Sequence, residues 1–175
     1  MQIRFPLESA TEARPRVLFV EPNKTNLGVM ARRLAEAGYR VATVDNGPSA
    51  IAELHRVVAD LVLAELNMPR MSGVELVRAI RGEAQWRDVP VMLITGKSDK
   101  AGAVRGYEAG ADDVIVKPFH FEVLLARIAR RIACARAIRH LRDDNAALDA
   151  RVVERAIQIG ELRDRLAAVQ ATESR

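Results

Sequence analysis

Five short runs of apolar, largely β-branched residues recur along this chain, and each is followed by a segment of helical period. The runs are RVLFV (16–20), RVATV (40–44), DLVLA (60–64), VPVMLIT (89–95) and DVIV (113–116). Amphipathic period predicts helices over 26–37, 48–58, 74–81 and 100–109, with Gly38, Gly47, Gly73 and Gly110 near their ends or starts. Parallel strands need a long crossover, usually a helix. The alternation therefore predicts an α/β fold, a doubly wound five-stranded parallel sheet covered by helices on both faces. Such sheets bind ligands outside the carboxyl ends of their strands. Four residues stand at those ends: Glu21 after the first strand, Glu65 at the third, Thr95 closing the fourth and Lys117 just past the fifth.

The 175 residues suffice for one globular core with length to spare. Charged residues make up 29% and apolar residues 49%, a balance that excludes a disordered chain. No apolar run reaches the roughly 20 residues that span a bilayer, and the N-terminus has no signal-peptide core. A cytoplasmic protein without membrane contact is expected. Cys134 is the single cysteine, so no internal disulfide can form. The net charge is +4, and Arg127, Arg130, Arg131, Arg136, Arg139 and Arg142 follow one another without an intervening acid. A nucleic-acid footprint is one reading of that run, a solvated helix face the other. No recognition helix or aromatic interleaving accompanies it, so no nucleic-acid partner is expected.

The words around the strand ends are specific. VLFVEPN, DLVLAELNMPRMSG, MLITGKSD and GADDVIVKPF resemble, in order and spacing, the receiver domains of two-component response regulators over about residues 15–132. The resemblance implies the strand order 2-1-3-4-5 and a cis Lys117-Pro118 peptide. Receivers accept a phosphoryl group from a histidine kinase onto an aspartate ending the third strand. Two acids after the first strand help hold Mg²⁺, while a Thr and a Lys contact the phosphoryl oxygens. A histidine kinase or a downstream signalling protein is the partner this implies.

Carried over residue by residue, the pattern breaks where the chemistry is done. The phosphoacceptor position holds Glu65, the acidic pair reads Glu21-Pro22, and Asn67 completes a degenerate metal pocket. Val114 stands where the family has its switch aromatic, whereas Thr95 and Lys117 are retained. Magnesium wants a near-octahedral oxygen shell, and proline supplies no side-chain oxygen. Glu21 and Glu65 are left to bind it weakly at most, so no cofactor is expected. The extra methylene of Glu65 displaces its carboxylate by roughly an ångström, a misplacement that can cost on the order of a hundredfold in rate. Phosphorylation is accordingly not expected. Glu65 can instead reach the Lys117 ammonium and the Thr95 hydroxyl. Two roles fit that reach: a stand-in for the phosphorylated state, or a partner that satisfies a buried lysine.

Other candidate residues revert to structural readings. His140 falls on the outer face of a helical segment without a partner motif, and no metal-ligand spacing links His55 and His120. Trp86 reads as a packing anchor. No glycine-rich phosphate loop or nucleophile elbow is present, and a non-catalytic protein is expected.

From Phe121 to about Val169 the chain contains no proline and one glycine, Gly160. Heptads place Ile138, Asn145, Val152, Ile159 and Leu166 at a, with Leu141, Leu148, Arg155, Leu162 and Val169 at d. β-Branched a positions, leucine at most d positions and one asparagine at a favour a parallel two-stranded coiled coil. Arg155 interrupts the seam, and Asp144 would face the copy's Asp149. A helix of nearly fifty residues would be about 75 Å long and needs a partner for its apolar seam. A second copy is the simplest, giving a homodimer whose seam, extended backwards, places Cys134 at d. The expected organisation is a flexible segment 1–14, a receiver 15–132 and a dimerising coil 133–175.

The function expected is a two-component response regulator with an atypical, phosphorylation-independent receiver that signals or scaffolds by protein contacts. The alternative is the regulatory N-terminal part of a multidomain enzyme, a cyclic-dinucleotide phosphodiesterase, nucleotide cyclase or kinase. A conventional phosphorylated switch would require Glu65 to be an introduced phosphomimetic, and Pro22 argues against a working parent.

Overall fold

The computed structural model describes residues 14–97 and 99–173, with the side chains of 161 and 164–173 left aside. The expected N-terminal segment thus lies, but for Arg14, outside the described residues. Five strands, β1 (Arg16–Val20), β2 (Arg40–Val44), β3 (Leu61–Glu65), β4 (Val91–Gly96) and β5 (Asp113–Lys117), form one parallel sheet in the order β2-β1-β3-β4-β5. The helices are α1 (Lys24–Glu36), α2 (Gly47–Arg56), α3 (Gly73–Gly82), α4 (Lys100–Glu108) and α5 (Phe121–Glu173). The Lys117-Pro118 peptide is cis.

Alternate residues of each central strand enter two different cores, as a pleat of period two requires. Leu18, Val20, Val62, Ala64, Leu93 and Val114 pack with Leu54, Leu76 and Ile80 of α2 and α3. Val17, Phe19, Leu61, Leu63, Met92, Ile94 and Ile115 pack with Leu34 of α1 and with Leu124, Ile128 and Ile132 of α5. Because both faces are covered, β1, β3 and β4 are apolar almost throughout. Arg33 of α1 lies over the Phe121 ring, 3.8 Å from its centroid.

Several element ends differ from expectation for local reasons. Helix α1 starts at Lys24, two residues early, because Asn23 Oδ1 accepts the backbone N–H groups of Thr25 and Asn26 at 3.0 Å. Asn46 caps α2 in the same way through Ser49 N, which places Gly47 inside the helix; α2 stops at Arg56, short of 58. Ser72 and Glu75 form a capping box at the start of α3. Strand β4 begins at Val91, not Val89, since Pro90 has no N–H for a ladder. Strand β3 runs to Glu65 itself, one residue further than expected, and β5 includes Lys117. Trp86 is buried, and His55, expected to stand alone, meets it edge-on at 4.6 Å between ring centroids.

By its internal contacts the chain divides after Ala135. In the second unit, Arg136 onward, none of the described side chains is buried, and Ile138, Leu141, Leu148, Val152, Ile159 and Leu162 are exposed. Among the described residues no helix is long and apolar enough to cross a membrane.

Candidate functional site at the carboxyl ends of the strands

Parallel pairing brings the ends of β1, β3, β4 and β5 to one side of the sheet. Glu21 follows β1 directly; its backbone N–H donates to Val44 O at 3.1 Å, and its buried Oε1 accepts from Asn23 N at 2.9 Å. Glu65 pairs in register with Ile94, Thr95 with Val116, and Gly96 with Lys117. The loop after Glu65 returns tightly: Leu66 N donates to Ile94 O and Gly73 N to Leu66 O, both at 2.8 Å. A Cβ at residue 73 would lie 2.8 Å from Glu65 O and 2.9 Å from Leu66 Cα, so only glycine lets α3 start this close to the strand. In the same loop Arg70 holds φ 67°, a left-handed backbone unusual for a residue with a side chain.

These strands bring Glu21, Glu65 and Lys117 together. Lys117 Nζ donates to Glu65 Oε2 at 2.6 Å and stands 3.6 Å from Glu21 Oε2, an ion pair beyond hydrogen-bond reach. Partial burial pulls the Lys117 pKa down, but the hydrogen bond and charge of Glu65, reinforced by Glu21, outweigh it and leave it above the usual 10.5. One ammonium thus serves two carboxylates.

Thr95 does not join them. Its hydroxyl is fully buried and makes no hydrogen bond among the described residues, so the expected bond to Glu65 is absent. Lys117 takes Glu65 Oε2, and the other carboxylate oxygen is not within hydrogen-bond reach of the Thr95 hydroxyl. Pro22 is half-buried beside Glu21, and Val114 is buried in the core with Leu66 and Leu93. Asn67 turns away from the carboxylates: its Nδ2 donates to Asp99 Oδ2 at 3.1 Å, across the mouth of the site. That bond and the N–H of Gly102, helped last by the charge of Arg105, hold the Asp99 carboxyl below its usual 3.8 against desolvation.

Other contacts carry no motif. Asp113, buried at the start of β5, collects Tyr107 of α4 and Arg127 and Arg131 of α5, so part of the arginine run is paired, not simply solvated. Asp99 had a readable signal, an acid one residue ahead of a helical segment; Tyr107 and Arg127 had none, because their contact is made by folding.

The family described as "Response regulator receiver domain" matches residues 17–129. The sensory transduction protein RegX3 of Mycolicibacterium smegmatis is 38% identical over 112 residues, 64% of this chain and 48% of that protein. The DNA-binding response regulator MtrA of Mycobacterium leprae is 33% identical over 119 residues, 68% of this chain and 52% of that protein. The chain therefore spans about half the length of these relatives. Among solved structures, the receiver domain of sensor histidine kinase PA1611 from Pseudomonas aeruginosa, with a magnesium ion coordinated in its active site cleft, is 30% identical with a TM-score of 0.64. The match covers 69% of this chain and 99% of that one. The chemotaxis response regulator CheY4 of Vibrio cholerae is also 30% identical, with a TM-score of 0.63, over 68% of this chain and 99% of that one. With its sheet order, cis Lys117-Pro118 peptide and strand-end residues, this chain belongs to the response regulator receiver domain family.

Proposed function

We propose that this receiver works without phosphorylation, signalling or scaffolding through protein contacts, and that it pairs with a second copy in parallel through its C-terminal helix. The observation that carries the first part is the 2.6 Å contact from Lys117 Nζ to Glu65 Oε2. The lysine that would meet a phosphoryl oxygen is already engaged by the side chain at the acceptor position. Magnesium does not fit this residue set. Pro22 offers no side-chain oxygen, Glu21 Oε1 is held by Asn23 N–H, and the Lys117 ammonium stands between the two carboxylates. Of the two roles open to Glu65, the unbonded Thr95 hydroxyl favours the partner of the lysine, which is half-buried and not buried as expected, since a phosphoryl stand-in would engage both groups.

Pairing is supported by the exposed apolar seam at Ile138, Leu141, Leu148, Val152, Ile159 and Leu162, with Asn145 setting register. The Leu166 side chain lies outside the described residues. The matched relatives are about twice as long as their receiver match, which supports a second reading in which receiver and helix are the regulatory N-terminal part of a longer protein. A cyclic-dinucleotide phosphodiesterase, nucleotide cyclase or kinase is the output we propose for that reading. The reading frame around this segment distinguishes the two.

The phosphorylation-independent reading is tested by titrating the protein with Mg²⁺ and beryllofluoride while following the amide signals of Glu21, Glu65 and Thr95 by NMR. No saturable shift is expected. A saturable shift at all three overturns it.

A further inference from the structure

A receiver that changed state through Thr95 and an aromatic on β5 would need both, yet the Thr95 hydroxyl is unbonded and position 114 is valine. A different set of contacts leads outward from the Glu65 loop. At one end of α4, Asn67 Nδ2 holds Asp99 Oδ2, and Asp99 Oδ1 caps the helix through Gly102 N at 2.7 Å. The Asp99 carboxylate lies in the space a Cβ on residue 102 would take, so a larger residue there would make the side chain shift. At the other end, Tyr107 Oη donates to Asp113 Oδ1 at 3.3 Å and accepts from Val114 N at 3.2 Å. The same Asp113 oxygen accepts from Val114 N at 2.9 Å and from Arg127 Nη1 at 3.2 Å, while Arg127 Nη1 also reaches Val114 O at 3.4 Å.

No aromatic stands at position 114, but one arrives from α4, and its hydroxyl touches the backbone of that residue, Val114. Helix α4 is fastened at its start to the loop that follows Glu65 and at its end to the carboxylate that anchors α5. Asp113 is buried, whereas Tyr107 is 51% exposed, so the tyrosine reaches its acceptor from the surface.

We propose that Tyr107 on α4, and not the β5 position held by Val114, is the aromatic that couples the Glu65 end of the sheet to α5, through Asn67, Asp99, Asp113 and Arg127. Whether Glu65 can accept a phosphoryl group does not enter, and the test uses neither phosphoryl donor nor metal.

Amide exchange of the full chain, followed residue by residue by NMR, separates coupling from simple structural support. Asn67→Ala is expected to speed exchange in the first turn of α4, at Val114 and around Arg127 by about threefold, the order for losing one modest hydrogen bond. In a Tyr107→Phe background, which keeps the ring and removes the hydroxyl, the change in α4 should persist. The change at Val114 and Arg127 should vanish. A merely structural Tyr107 would instead add its own effect to that of Asn67→Ala. If Asn67→Ala leaves Val114 and Arg127 untouched, or moves them equally with and without the tyrosine hydroxyl, the proposal fails.

Discussion

Lys117 and Glu65, 52 residues apart, meet at 2.6 Å although β4 runs between their strands. Neighbouring strands lie about 4.8 Å apart, so the pair bridges two spacings, or roughly 10 Å. Two long side chains can do this. An aspartate at 65 would draw the carboxylate back by roughly an ångström, a gap that the lysine would have to close. The glutamate is therefore the residue whose length suits an ion pair with Lys117.

Glu65→Gln is expected to lower stability by about 1–2 kcal/mol, toward the lower end for weakening a buried polar partner, because Lys117 is 39% exposed and partly screened. Glu65→Asp keeps the charge but loses the reach, and should cost a similar amount. Urea midpoints at neutral pH check both, and unmoved midpoints would mean the pair contributes nothing.

The raised Lys117 pKa sets an alkaline dependence. The folded state holds this proton more tightly than the unfolded chain does, so the contribution is complete below about 10.5 and is lost as pH rises through the higher folded value. Tyr39, whose pKa burial pushes up, acts in the same direction. Stability measured from pH 9 upward should therefore fall, and the fall should be shallower in Glu65→Gln even when Tyr39→Phe removes the tyrosine from both proteins.

Arg81 is a structural residue that no motif announced. Its guanidinium donates to Gly110 O, Arg87 O, Val89 O and Asp112 Oδ2, at distances from 2.6 to 3.2 Å, and joins α3 to the segments flanking β4 and β5. A lysine cannot present this fork. Arg81→Lys is expected to cost about 2–3 kcal/mol in chemical denaturation, with little change at the strand-end cluster.

What was legible from sequence follows the range of the interaction. Strands β1, β3 and β4 are apolar on both faces, which separates them from amphipathic helices and makes the sheet readable. Strand ends follow from the sheet, so Glu21, Glu65 and Lys117 could be placed at one end of it, while their adjacency rested on the strand order that the receiver resemblance implied. The caps at Asn23 and Asn46 moved helix starts by a residue or two, because a capping side chain competes with simple periodicity. The unbonded Thr95, the Asn67–Asp99 bond and the Tyr107–Asp113–Arg127 group were not legible. Each depends on which of several possible partners a side chain meets after folding, and no local spacing records that choice.

The seam of the C-terminal helix makes a prediction about assembly. Leu141→Glu with Leu148→Glu puts charge at two d positions and should shift the full chain from dimer toward monomer in light scattering, while Asn145→Leu should strengthen association and relax the choice of oligomer number. Mild oxidation should link two copies at Cys134 if the helices run parallel and in register from the start. A full chain that is monomeric without substitution removes the pairing half of the account.

Intact mass spectrometry decides whether an internal ion pair has replaced phosphoryl chemistry. After incubation with Mg²⁺ and acetyl phosphate, the chain should show its unmodified mass only. The Pro22→Asp, Glu65→Asp double variant, which restores both acids, is expected to show at least a minor phosphorylated species under the same conditions. A phosphoryl adduct mapped to Glu65 in the unsubstituted chain would contradict the account.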